Sequence, residues 1–301
     1  MFMAEVFKLN ILRGLVDGFE MASIYALISL ALTLGANVNG IINFIMGQLF
    51  VISVYVIAFF CDLKMPIVIS ILIAIAICVA INLLVKKYVY DLIKKNSQMM
   101  SLIVSIGVSF VIQDIFVFLF KSDPKKLFYT ISGTYKFGFF EIGYMDLICL
   151  LVFLFIMLLS YLFIKYTRLG KIIRAVSEDS DSTALMGIDN NKIVCFVYEI
   201  CSGLVAIAGS FFCISFPLVD PFSGNMIILR SLIGAIIGGL GIVSGSLSKS
   251  VVGALCGGFA VGLFEILIKN YMPGLSDIVL FCILGIYLFV NNRKFVGREK
   301  N

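Results

Sequence analysis

The chain has 301 residues, 61% of them apolar and only 14% charged, against about 25% charged in an average soluble domain. So little charge cannot solvate the surface of a soluble protein of this length, and the composition points to a lipid-embedded chain forming one domain over residues 1–301. The net charge of +5 comes from short basic clusters between apolar runs, which argues against nucleic-acid binding and fits membrane topology. Histidine is absent, and the eight cysteines stand singly in apolar segments without CxxC spacing. Imidazole catalysis and a Cys/His metal site are thereby excluded, and the cysteines read as small packing residues.

A bilayer-crossing helix needs about 20 mostly apolar residues. The first such run, 11–36, is approached through Asp17 and Glu20, which break the pattern of a cleavable secretory signal, so a retained first span is expected. Further runs follow at 44–61, 66–85, 99–120, 144–164, 193–216, 227–242, 247–269 and 275–292. These predict an all-α polytopic membrane protein of eight or nine spans. The first and seventh are open between a full crossing and a break midway. Basic connectors face the cytoplasm. One crossing per span puts Lys86, Lys87, Lys94 and Lys95, then Lys165, Arg168, Lys171 and Arg174, then Arg293, Lys294, Arg298 and Lys300 on one side, leaving the C-terminus cytoplasmic. Residues 121–143 fall outside, where Gly133, Gly138 and the alternation of Tyr135, Phe137 and Phe139 suit a small hairpin.

Residues 165–192 form the longest polar stretch between spans. Its centre is expected to be a short surface helix over 178–186. Ser177 is placed to cap it, Glu178, Asp179 and Asp181 suit the positive end of its dipole, and Gly187 suits a left-handed stop. Arg174 precedes it, and Ala184, Leu185 and Met186 give it an apolar tip for docking; a plain solvated connector is the alternative. Two apolar segments are interrupted by glycine, 35–48 and 238–246. Irregular backbone at membrane depth survives only where protein or a watery cavity surrounds it, so a translocation path through Asn39, Gly40, Asn43, Gly47, Gln48, Gly238, Gly239, Gly241 and Ser244 is one reading. Close helix packing through small residues, as at Gly253, Gly257 and Gly258, is the other. Asp114 and Glu199 fall inside spans, with Arg230 and Glu265 nearer span ends. Asp114 is expected to face the bundle, since a charge at the bilayer centre costs roughly 2.5–3.5 kcal/mol.

The run from Gly18 through Ser23, Tyr25, Ala26 and Leu27 to Gly40, Asn43, Phe44 and Gly47 resembles the opening of the branched-chain amino acid ABC permease family. The resemblance continues through Leu169, Gly170, Arg174, Ala175, Asp179, Ala184, Gly187 and Ile188, and then through Gly238, Gly239, Leu240, Gly241, Gly245 and Glu265. It implies a type II-like permease with a cytoplasmic coupling region at 165–192. Its implied partners are two ATPase subunits, a second similar permease, an extracytoplasmic solute-binding protein and membrane lipid. ATP would sit on the ATPases, and no GxxxxGK[ST] run occurs in this chain; no residue is assigned a catalytic role. Met46 and Gln48 stand where the family commonly has His and Glu, and Ser244 where proline is frequent. Relatives carry urea, short amides or other amino acids, so these cargoes stay open beside branched-chain amino acids, as does a single-component secondary carrier.

Overall fold

A computed structural model of the chain describes residues 18–93, 98–121, 125–126, 134–137, 140–240, 247–272 and 274–295. Apolar runs become helices because lipid offers the backbone no hydrogen-bond partner. In chain order these are α1 (Phe19–Asn39), α2 (Ile45–Asp62), α3 (Ile67–Val85), α4 (Gln98–Phe120), α5 (Tyr144–Tyr166), α6 (Arg168–Glu178), α7 (Ser180–Leu185), α8 (Asn190–Ser215), α9 (Ser223–Ile237), α10 (Leu247–Tyr271) and α11 (Ser276–Phe295). Each of the nine runs expected to span the membrane is a helix. Seven are long and apolar enough to cross a bilayer, while Ser223–Ile237 and Ser276–Val290 are shorter apolar segments. At about 22 Å along its axis, α9 falls short of a hydrocarbon core of about 30 Å, so the seventh run is the abbreviated one. The first begins at Phe19, and residues 11–17 lie outside the described part.

Two short antiparallel pairings mark one end of the bundle. Strands β2 (Thr134–Phe137) and β3 (Phe140–Gly143) form the small hairpin expected after α4; its Gly138 and Phe139 are not among the described residues. Strand β1 (Lys125–Lys126) pairs with β4 (Leu218–Val219), tying the connector after α4 to the connector after α8. At the opposite end, α3 runs on through a π-helical turn, Lys86–Tyr90. That turn aims Lys86 at Asp91, 3.0 Å away, and at Asn191 in the first turn of α8. Lys86 and Lys87 after α3, and Lys165, Arg168, Lys171 and Arg174 after α5, therefore share one end of the bundle, and the hairpin lies at the other; Lys94, Lys95, Arg298 and Lys300 lie outside the described residues.

The core is centred on α1, which is buried on almost every side by α8, α9 and α10. Helices α3, α4 and α5 turn most of their surface outward, as lipid-facing spans do. The short α9 lies across three helices. Its Gly224 meets Gly47 of α2, the carbonyl of Ser231 accepts a 2.6 Å bond from Ser29 of α1, and Gly234 and Gly238 pack backbone to backbone on Gly257 and Gly253 of α10. Without lipid-driven attraction between apolar faces, close approach of this kind is what holds membrane helices together. A Cβ on Gly47 would lie 2.6 Å from the carbonyl oxygen of Gly224, and one on Gly224 only 2.3 Å from that of Gly47. The obstacle on either side is backbone, which cannot rotate away. Gly47→Val and Gly224→Val are each expected to cost about 1–3 kcal/mol, the range for overpacking. Lower melting of the detergent-purified chain, with Gly203→Ala unchanged because its Cβ meets open space, is the check.

Candidate functional site

The first glycine-interrupted segment is a sharp break between α1 and α2. Gly40 takes a left-handed φ of 71° and its N–H returns to Ala36 O at 2.9 Å, ending α1. Residues 41–44 then run without regular structure until Ile45, and side chains from α3, the π turn and α4 bond to them. Asn43 is 1% exposed. Its Oδ1 accepts from Ile45 N at 3.0 Å and from the Tyr90 hydroxyl at 2.9 Å, while its Nδ2 donates to Asn82 Oδ1 at 3.1 Å. Asn82 of α3 in turn donates to Ser202 Oγ at 2.7 Å and to Tyr198 O at 3.1 Å on α8. Ser105 of α4 takes the Phe44 N–H at 2.8 Å and meets the Tyr90 hydroxyl at 2.8 Å. Asn39 donates to the Tyr198 hydroxyl at 2.9 Å.

Two further polar clusters sit among the spans. Gln48 donates to Asn225 Oδ1 at 2.8 Å, and Asn225 donates to Gln113 Oε1 at 2.8 Å, so three amides join α2, α9 and α4. On the far side of α9, Arg230 reaches Glu265 of α10 at 2.8 Å, Asp277 of α11 at 2.7 Å and the Tyr25 hydroxyl of α1 at 3.2 Å. Lys269 forms a second ion pair with the fully buried Glu265. Arg230 was expected near a span end; α9 starts four residues earlier than the apolar run, at Ser223, which puts Arg230 at its middle. Asp114 corrects a second expectation, because it is exposed on the outside of the chain. The inward face of α4 is the series Ser101, Ser105, Ser109 and Gln113, all buried, and the next residue after Gln113 is turned about 100° away from it.

The polar segment 165–192 forms two helices rather than one. α6 is amphipathic, with Gly170, Ile173 and Val176 turned inward and its N-terminus capped by Thr167, whose hydroxyl accepts from Gly170 N at 2.9 Å. Ser177 therefore does not cap the surface helix: it lies inside α6 and its hydroxyl donates to Arg174 O at 2.8 Å. The cap of α7 is Asp179, which accepts from the N–H groups of Asp181 at 3.0 Å and Ser182 at 3.1 Å. Thr183 bonds to Asn190 Oδ1 at 3.1 Å and Asn190 bonds back to Ser180 O, fastening α7 to the start of α8. α7 closes at Gly187, φ 83°. Beyond that fastening, Ala184 is exposed, Leu185 is 90% exposed and Met186 77% exposed. Glu178 and Asp181 are exposed beside them.

Of the path residues read from the sequence, Asn43, Gly47 and Gln48 are built into the scaffold, Asn39 is partly exposed and Gly40 is exposed. Gly238 packs on Gly253, Gly239 has φ 117°, and Gly241 and Ser244 lie outside the described residues. Sequence reasoning missed Asn82, Tyr90, Gln113, Ser202 and Asn225. The four-residue spacing of polar side chains along α4 was a signal that could have found Gln113. No cluster of metal-ligating side chains occurs among the described residues.

The Ser182 hydroxyl, followed by the Ser182 and Asp181 N–H groups, holds the Asp179 carboxyl below the ordinary carboxylate range. Its contribution to α7 is therefore fully present above the unfolded pKa of about 3.9 and is lost as pH falls through the lower folded value. Amide protection across 180–186, taken as exchange relative to the unstructured chain at the same pH, should hold at pH 7, fall only in strong acid, and be lost at pH 7 in Asp179→Ala.

The family described as branched-chain amino acid transport system / permease component matches residues 14–288. The high-affinity branched-chain amino acid transport system permease protein LivH of Escherichia coli is 27% identical over 313 residues, 99% of each chain. Its counterpart BraD of Pseudomonas aeruginosa is 26% identical over 314 residues, again 99% of each. The ribose import permease protein RbsC of Escherichia coli is 28% identical over 110 residues, 36% of this chain and 34% of that one. No solved structure matches the chain. With matches running nearly from end to end, and a polytopic helical bundle to accommodate them, this chain belongs to the branched-chain amino acid transport permease family.

Proposed function

We propose that the chain is a permease subunit of an ATP-driven ABC importer whose cargo is branched-chain or similar amino acids. The observation that carries this reading is the apolar tip of α7. Leu185 and Met186 stand in solvent, although the helix that presents them is capped by Asp179 and fastened to α8 through Thr183 and Asn190. A rigidly held apolar tip suits insertion into a cleft of an ATPase subunit, with Glu178 and Asp181 as its polar surround. On this reading residues 165–192 and the C-terminus are cytoplasmic, and the β2–β3 hairpin faces the solute-binding protein.

ATP would be bound and hydrolysed by the two ATPase subunits. Their closure would press on α7, and two global states of the bundle biased by nucleotide would give access first to one side and then to the other. The path would run between this chain and a second, similar permease. Asn39 and Gly40, at the exposed edge of the broken hairpin, are its proposed lining, and the glycine-interrupted segment holding Gly238, Gly239, Gly241 and Ser244 is its second boundary. Asn43, Gly47 and Gln48 would hold that edge in position from behind. The nearly full-length relatives are named for branched-chain amino acid transport, which supports the cargo class.

Leu185→Arg and Met186→Arg put a charge where an apolar contact is expected. Each should weaken co-purification of the ATPase subunits by about tenfold or more, as loss of an apolar anchor does, and should reduce ATP-driven leucine uptake in proteoliposomes holding the assembled complex. Unchanged assembly and uptake would remove the coupling role from α7. Leucine uptake by this chain alone, driven by an ion gradient, would reject the importer reading.

A further inference from the structure

Helix α5 leans on α1, α10 and α6, and it touches α8 only sparingly, with the rings of Phe163 and Phe196 meeting across the gap. Between α5 and α8 this leaves an apolar cavity of about 370 Å³, with Leu159 and Phe163 on one wall, Phe196 and Ile200 on the other, Leu34 at its back and Ile173 of α6 across one end. Leu159 on its rim is 53% exposed, so the cavity opens sideways, toward the hydrocarbon that surrounds a membrane-embedded bundle. Water is a poor occupant for walls without polar partners.

The mouth next to α6 has the opposite character. Lys165, Arg168, Lys171 and Arg174 follow one another where α5 ends and α6 begins, directly after the cavity residue Ile164 and on either side of Ile173. None of the four forms an ion pair among the described residues. Arg174 has a buried Nε without a partner, and the one hydrogen bond of its guanidinium among the described residues is a 3.5 Å contact to Lys165 O. A guanidinium carries five donors in a planar fork suited to phosphate. The nearby acids do not neutralise this group. Asp179 and Asp189 are engaged as the caps of α7 and α8, and Glu178 and Asp181 are exposed without such a pairing.

We infer that this is a binding site for an anionic phospholipid, with an acyl chain in the α5–α8 cavity and the phosphate at Arg174, Arg168 and Lys171. The apolar slot supplies affinity for any lipid tail, and the cations select the negatively charged headgroup, as basic pockets between spans do. The segment from α6 to α7 is thereby divided. Its first half faces the lipid surface with basic side chains, and its second half presents the capped apolar tip to the aqueous phase.

The absence of tryptophan from the chain makes a direct test possible. Phe163→Trp and, separately, Leu159→Trp each place the chain's sole tryptophan in the cavity, excited selectively at the red edge of its absorption. Phe118→Trp, on the outward face of α4 where Phe118 is 87% exposed, is the bulk-lipid control. The full-length chain is reconstituted in vesicles containing either brominated phosphatidylglycerol or brominated phosphatidylcholine at equal mole fraction. Quenching at the cavity positions should favour phosphatidylglycerol by about fivefold, roughly what one cation near an anionic surface provides, with no preference at the control. Arg168→Gln combined with Arg174→Gln should bring the cavity ratio to that of the control. Equal quenching by the two lipids would overturn headgroup selection, and no quenching by either would show the cavity covered by protein and overturn the lipid site.

Discussion

A backbone that breaks inside a bilayer must find partners for its freed N–H and C=O groups within the protein, and the turn at 40–44 makes that constraint govern the architecture. Asn43 closes the turn locally through Ile45 N, and it also anchors Tyr90 and Asn82. Asn82 carries the network to Ser202 and the backbone of Tyr198, and Ser105 caps Phe44 N from α4. One irregular turn thus fixes the relative placement of α2, α3, α4 and α8 about α1. Buried polar networks are costly if incomplete, and this one is closed on every side. The π turn after α3 belongs to the same solution, since the extra residue per turn brings both Tyr90 and Lys86 inward.

Helix α9 answers a different difficulty. It is too short to gain much from lipid contact alone, and it carries Arg230 at its middle. Three backbone approaches through Gly224, Gly234 and Gly238 hold it. The Arg230 charge is matched by Glu265 and Asp277 on two neighbouring helices, with Lys269 as a second cation on Glu265. Removing one member of such a group leaves an uncompensated charge in a low-dielectric setting, which makes it a stronger constraint on assembly than its net stabilisation suggests. The amides of Gln48, Gln113 and Asn225 then lock the N-terminal end of α9 to α2 and α4. The helix is held from both faces, in a place where sliding would otherwise be easy.

The spans were legible in the sequence because length and apolarity are local properties, and the shared end of Lys86 and Lys87 with the basic residues after α5 followed from counting. The hairpin after α4 was legible from alternation and glycine. What escaped was everything that depends on which side of a helix a residue takes or on contacts between distant segments. Asp114 was placed inward on the general cost of charge in lipid, yet the buried face of α4 is set by Ser105, Ser109 and Gln113, and the next residue has to point elsewhere. Ser177 and Asp179 are both competent caps; only the helix that α6 forms through Gly170, Ile173 and Val176 decides between them, by enclosing Ser177. The Tyr25, Arg230, Glu265 and Asp277 cluster joins α1 to the three helices at the other end of the chain, and no local pattern encodes it. Asn43 and Gln48 were expected on a translocation path, and in the structure they are bonded to other groups of the same chain.

That last point changes how movement could pass through the molecule. Asn190 grips α7 at Ser180 and Thr183, and it opens α8, the helix that carries Tyr198 and Ser202 into the network behind the broken hairpin. A displacement of α7 therefore has a continuous hydrogen-bonded and helical route to Asn39, at the edge of the turn. Continuity of this kind is a physical precondition for coupling and not its demonstration. It does determine where resistance lies. Asn43 and Asn82 tie α2 to α8, whereas Asn39 is joined to α8 through the single bond to the Tyr198 hydroxyl among the described residues. Rearrangement driven from α7 would meet least opposition at the contact between Asn39 and Tyr198, leaving the Asn43–Asn82 hub intact as the pivot about which the edge of the turn opens.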